Sequence, residues 1–181
     1  MLQVCSSKHI SPLKAVYLAG PLFSEAEQRF NVSLARRLER LVRVYLPQRD
    51  GGLMADMIRT GTPPKTAAHL VFKRDVDAIL NCDYLIAVLD GRTVDEGVAF
   101  ELGIAFAAKK RCIGLQTDIR RLAPWGNNPM ITGALEVVFS SVDELVNWLV
   151  REVCGCSEQL NCASSEMDSL SNAAEPSPYH E

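Results

Sequence analysis

The sequence predicts a single α/β domain built on a parallel sheet. Short apolar, β-prone runs alternate with amphipathic helical stretches between residues 15 and 153, which is the pattern of strands joined by helical crossovers. At 181 residues the chain has room for one ordinary domain and a tail, not for two catalytic domains. Its 48% hydrophobic and 23% charged residues are ordinary values, so a wholly disordered chain is excluded.

Residues 1–13 read as a flexible leader. Residues 15–19, Ala-Val-Tyr-Leu-Ala, form an apolar run stopped by Gly20-Pro21, hence a buried strand and a turn. Ser24 followed by Glu27 is a capping box, and Ala26, Phe30, Leu34, Leu38 and Leu41 recur at helical spacing, which predicts a helix over 25–42. Residues 43–46 are a second strand closed by Pro47. The Gly- and Pro-rich stretch 48–64 reads as a long loop, a kind of connection that is more often functional than decorative. A helix over 65–81, a strand over 83–89, a helix over 96–109 and a strand over 111–115 follow. A second long loop spans 117–128; then come a short helix over 130–135, a strand over 136–139 and an amphipathic helix over 142–153. Right-handed crossovers bring ligands to the carboxyl ends of such strands, at the point where the strand order reverses. Beyond Cys154 the composition turns to Ser, Asn, Glu and Pro, and residues 155–181 read as a disordered acidic tail, leaving 14–154 as the folded domain.

Charge and motifs remove several function classes. Six of the 22 acids lie from Glu152 onward, where no Lys or Arg occurs, so the body carries only +3. That is too weakly basic for a nucleic-acid groove, and Arg36, Arg37, Arg40 and Arg43 read as a solvated helix face and its exit. No apolar run approaches the roughly 20 residues of a membrane span, and the N-terminus has no signal-like apolar core. The expected location is therefore cytoplasmic, with the six cysteines as thiols; Cys82 and Cys112 read as small buried hydrophobes. Cys154, Cys156 and Cys162 match no zinc spacing. Neither G-x-x-x-x-G-K-[ST] nor G-x-G-x-x-G nor G-x-S-x-G is present, and His69, on a helix, reads as a surface or half-buried residue.

What remains is a concentration of carboxylates after the third strand: Asp90, Asp95, Glu96 and Glu101. A helix cap accounts for Asp95 or Glu96 without any function. Glu101 differs, because Val98, Ala99, Phe100, Leu102, Gly103, Ile104, Ala105 and Phe106 around it are all apolar or small. A lone carboxylate in such company is costly to bury without partners or a task, although a place on the solvent stripe stays open.

The strings Val16-Tyr17-Leu18-Ala19-Gly20-Pro21-Leu22-Phe23, Arg74-Asp75-Val76-Asp77 with Cys82-Asp83, Asp95-Glu96-Gly97-Val98-Ala99-Phe100-Glu101-Leu102-Gly103, and Asn128-Pro129-Met130 resemble the nucleoside 2-deoxyribosyltransferases over residues 15–150. The resemblance implies a flavodoxin-like, doubly wound five-stranded parallel sheet, in agreement with the five strands read above. It implies that Glu101 is the nucleophile, that Asp75 is the acid facing the nucleobase and that Tyr17 orients the nucleophile. Asp95 resembles the residue that holds the sugar 5′-hydroxyl, Gln48 a base-reading glutamine, and Asn128 an asparagine donated by a neighbouring subunit. Gly20 of the first string joins the substrate-binding set. The family's C-terminus can close over the site, but the longer tail here departs from that pattern, and no terminal carboxylate is carried over.

The implied partners are free 2′-deoxynucleosides and nucleobases in a homo-oligomer, at least a dimer, with a shared site; no metal or organic cofactor, nucleic acid or membrane is implied. The chemistry is coherent on its own grounds. Cleaving an N-glycosidic bond passes through an oxocarbenium-like state that one carboxylate captures while a second carboxyl protonates the leaving base. Rival readings are hydrolysis of deoxynucleosides or of their 5′-monophosphates, and a non-catalytic nucleotide-sensing module. A negative Asp95 would repel a phosphate and accept a hydrogen bond from a hydroxyl, which favours free nucleosides.

Overall fold

The structure is a computed structural model that describes residues 13–120 and 126–154. The tail and all of the leader except Leu13 therefore lie outside the described residues, as does Trp125.

Five strands form one parallel sheet in the order β2-β1-β3-β4-β5: β1 (Ala15–Ala19), β2 (Arg43–Tyr45), β3 (Tyr84–Val88), β4 (Arg111–Leu115) and β5 (Val137–Phe139). This is the doubly wound, flavodoxin-like sheet that the resemblance implies, with its switch point between β1 and β3. The central strands are apolar on both faces because both are covered; every residue of β3 is buried. On one face, α1 (Glu25–Leu38) and the C-terminal helix Val142–Cys154 pack Leu34, Leu38, Leu145 and Leu149 onto Leu18, Ile86 and Ile113. On the other, helices Pro64–Asn81 and Glu96–Ala107 pack Ile79, Val98, Leu102 and Ala105 onto Tyr17, Leu85 and Ala87.

The Ser24–Glu27 capping box is formed, each side chain bonding the other's backbone. Helix α1 ends at Leu38, four residues before the predicted boundary, because the chain must turn back for Arg43 to bond the Lys14 carbonyl beside β1. The stretch 48–64 is not the open loop expected. It holds a π-helical turn, Pro47–Gly51, and a short helix, α2 (Met54–Arg59), which precede α3 (Pro64–Asn81). Pro47 and Pro64 each stand at the start of a helical segment, where a missing N–H costs nothing. The remaining helices are α4 (Glu96–Ala107), α5 (Pro129–Thr132, shorter than predicted) and α6 (Val142–Cys154). Cys82 and Cys112 are buried, and His69 is exposed. Among the described residues no helix is long and apolar enough to cross a membrane, and no group of three or more His, Cys, Asp or Glu is placed to hold a metal ion.

Candidate active site

The side chain of Tyr17 points from β1 to the α3/α4 face and is fully buried. Its hydroxyl donates to Glu101 Oε1 at 2.5 Å, across from the second turn of α4. Glu101 therefore does not lie on a solvent stripe; it turns inward to the strand. Burial pushes its carboxyl up to about 7, with Tyr17's hydrogen bond opposing and the nearby charges of Asp75 and Asp95 reinforcing the rise. The same burial, with Glu101 alongside, pushes Tyr17 upward, so its proton stays on the phenol and the hydroxyl is a permanent donor.

Asp75, at the start of the fourth turn of α3, is the second carboxyl of this pair. It too is raised by burial, an effect reduced by a hydrogen bond from Tyr45 and by the charge of Arg74. Tyr45 Oη donates to Asp75 Oδ1 at 2.9 Å. Tyr17 and Tyr45 are register partners on β1 and β2, with their rings stacked at 5.4 Å and 17° between planes. Neighbouring strands thus present two phenols side by side, each to its own carboxylate. One oxygen of each acid is tied to a phenol, and Glu101 Oε2 and Asp75 Oδ2 carry no protein hydrogen bond among the described residues.

The other expected residues divide. Asp95 caps α4, its Oδ1 accepting from the backbone of Gly97 and Val98, so the bland reading of this residue holds while Oδ2 stays open near Glu101. Gln48, in the π-helical turn after β2, accepts from Asn31 Nδ2 at 3.0 Å and donates to the Gln28 carbonyl at 3.0 Å. Gly20 lies where a Cβ would stand 2.7 Å from Asn31 Oδ1, so glycine is demanded by that close approach. Asn128 caps α5, its side chain accepting from Met130 N, and lines a groove of about 970 Å³ with Ala99, Leu102, Gly103 and Phe106 of α4. Of these, Ala99, Gly103 and Phe106 lie on the far side of α4 from Glu101 at 3.6 residues per turn. Within one chain, Tyr17, Asp75, Glu101 and Asp95 come together, whereas Asn128 is not among them.

Sequence reasoning missed Tyr45, Gly51 and Asn31. Gly51 is buried against the Asp75 carboxyl: a Cβ there would be 2.7 Å from Oδ1 and 3.2 Å from Tyr45 Oη. Asn31 is 1% exposed, donates to the Pro21 carbonyl and to Gln48, and its Oδ1 has no partner among the described residues. It fastens the turn after β1 to the turn after β2. Of the three, only Asn31 left a signal in the sequence, a polar residue set between the apolar Phe30 and Val32 of α1.

The family model for nucleoside 2-deoxyribosyltransferases matches residues 16–167. A solved conserved protein from Enterococcus faecalis is similar at 28% identity and a TM-score of 0.63, over 77% of this chain and 99% of that one. A 2-deoxyribosyltransferase from Bacillus psychrosaccharolyticus shares the fold at 23% identity and a TM-score of 0.60, over 74% of this chain and 90% of that one. No curated protein matches the chain. With the fold, the carboxylate pair and a family match over most of its length in agreement, the chain belongs to the nucleoside 2-deoxyribosyltransferase family.

Proposed function

We propose that the protein moves the 2-deoxyribosyl group between nucleobases of free 2′-deoxynucleosides by double displacement on Glu101. The observation that carries this reading is the inward-facing Glu101, desolvated, held by Tyr17 through one oxygen, and paired with a second raised carboxyl, Asp75. In the first half-reaction Glu101 Oε2 attacks C1′ as the N-glycosidic bond breaks; the bonding pair leaves with the base, which takes a proton from Asp75. The second base then attacks C1′, releases Glu101 and returns its own proton to Asp75.

Burial raises both acids, and the charge of Asp75 adds to the rise at Glu101, so the site holds a proton toward neutrality, and a proton is what the leaving base needs. Asp95 supports a free 5′-hydroxyl, because Oδ2 can accept from it and a phosphate would meet a fixed negative charge. Gln48 reads the base with its second Nε2 hydrogen. Asn128 serves a neighbouring subunit's site, which makes the working unit at least a dimer, and the chemistry uses no metal or organic cofactor.

The test incubates the protein with deoxyinosine and adenine, then with deoxyinosine alone, then with deoxyinosine 5′-monophosphate and adenine. Transfer predicts deoxyadenosine in the first arm and little or no product in the third. Free hypoxanthine without exchange assigns hydrolysis instead, use of the monophosphate refutes the role of Asp95, and silence in every arm removes the catalytic reading.

A further inference from the structure

Tyr45 has no part in the proposal above, yet its surroundings resemble those of Tyr17 point by point. It sits at the same sheet register, its ring is stacked on Tyr17, and its hydroxyl meets the other carboxylate. Asp75 Oδ1 is enclosed on a second side by Gly51, whose missing Cβ leaves room for both the carboxyl and the phenol oxygen. Gly51 is in turn tied to α3, since Arg74 Nη1 donates to its carbonyl at 3.3 Å. The acid is thus clamped through one named oxygen by a strand and a turn.

We propose that Tyr45 is the positioning residue of Asp75: its hydroxyl keeps Oδ1 an acceptor, so that Oδ2 carries the proton exchanged with the nucleobase. This rests on Asp75 being the acid of the proposed reaction. A phenol that donates to Oδ1 can do so whether the acid is ionised or protonated, because a carboxyl keeps acceptor capacity in both states. The carboxyl therefore need not rotate between the two half-reactions. As the first base leaves, the Oδ2–H proton passes to a ring nitrogen and Asp75 is left as the carboxylate; as the second base attacks, its N–H proton returns to Oδ2. Tyr45 neither gives nor receives a proton in this cycle, and burial and its bond to Asp75 hold its own proton in place.

The groups facing this acid are Tyr45 from β2, Tyr17 from β1, Glu101 from α4 and Arg74 from its own helix, while Asp50 of the π-helical turn faces Tyr45. Removing the Tyr45 hydroxyl takes away a donor that favours the carboxylate, so the Asp75 proton is held to higher pH.

The experiment compares wild type, Tyr45→Phe, Asp75→Asn and the double variant in base exchange across pH. Tyr45→Phe keeps the stacked ring and should lower kcat/KM by roughly 10- to 100-fold, the range of one hydrogen bond to a charged group. The alkaline limb of its profile should move upward. The double variant should be no slower than Asp75→Asn alone, because a residue acting only through Asp75 has nothing left to position. An unchanged rate and profile for Tyr45→Phe overturns the proposal while leaving Asp75 as the acid. So does a double variant slower by the product of the two losses, which makes Tyr45 a general structural support. Full exchange by Asp75→Asn instead overturns the reading on which the proposal rests, and the proposal with it. If Tyr45→Phe folds poorly, 3-fluorotyrosine at position 45 retains the phenol with a stronger donor and should move the alkaline limb downward; no movement overturns the proposal.

Discussion

Replacing Glu101 by Gln should abolish activity and, above neutrality, make the protein more stable. Gln has nearly the shape of Glu, and its carbonyl oxygen can still accept the Tyr17 hydrogen bond. What is lost is a charge that the fold desolvates. Glu101 is pushed from an ordinary value near 4.5 to about 7, mainly by burial. A carboxyl raised on folding leaves the native state penalised wherever the unfolded chain is ionised. The penalty is absent below about pH 4.5, grows through the interval up to 7 and is complete above it. Its full size is about 3 kcal/mol at 1.36 kcal/mol for each tenfold change in proton affinity. For a domain of this size that corresponds to roughly 6–12 °C in Tm. Differential scanning fluorimetry of both proteins from pH 4.5 to pH 8.5 reads it directly. The two curves should coincide near pH 4.5 and diverge upward, with Glu101→Gln the more stable. A constant gap across pH, or a wild type more stable at pH 8, would refute the argument, because either result means that Glu101 is not held at a desolvation cost. Turnover of the variant should fall by several orders of magnitude, since an amide cannot form the glycosyl ester.

Two further outcomes are expected. Gly20→Ala should destabilise by about 1–3 kcal/mol, because its Cβ would lie 2.7 Å from the buried Asn31 amide, and a thermal melt at neutral pH reads this against wild type; an unchanged Tm would mean that the turn has slack. Mixing inactive Glu101→Ala with inactive Asn128→Ala should restore exchange once subunits redistribute, since hybrids then contain a site with neither lesion; no recovery despite verified subunit exchange would place Asn128 in its own chain's service.

Much of the fold was legible because its signals are local. Apolar runs bounded by Gly and Pro, the Ser24–Glu27 box and the helical spacing of Leu34 and Leu38 each need only a few neighbouring residues, and strands, capping box and helix are all observed. The failures were also physical. The stretch 48–64 reads as loop because Pro and Gly mark turns, yet a proline at the first helical position starts a helical segment as readily as it ends one. Helix α2 has no buried residue, so it offered no periodic core face to detect. The end of α1 was misplaced because Leu41 and Val42 continue the apolar spacing, while the geometry of entry into β2 decides the boundary.

The site divides along the same line. Glu101 stood out because its whole local segment is apolar, and the structure gives that isolation its cause: the side chain is turned onto a strand phenol. Tyr45 could not stand out. In Arg-Val-Tyr-Leu it is an ordinary strand residue, and its distinction arises only when β1 and β2 pair in the register that sets it beside Tyr17. Sequence separations of 30 and 84 residues, for Tyr45–Asp75 and Tyr17–Glu101, are collapsed by one strand pairing and by two helices laid on the same sheet face. That arrangement also differentiates two chemically similar acids. Both are raised by burial and eased by a phenol, but Asp75 also has the guanidinium of Arg74 to favour ionisation, whereas the charged groups near Glu101 are Asp75 and Asp95, which oppose it. On the proposed reaction, a nucleoside whose ring nitrogen accepts from Asp75 rewards a proton on Oδ2 and an ionised Glu101, so binding the donor and readying Glu101 favour the same protonation state.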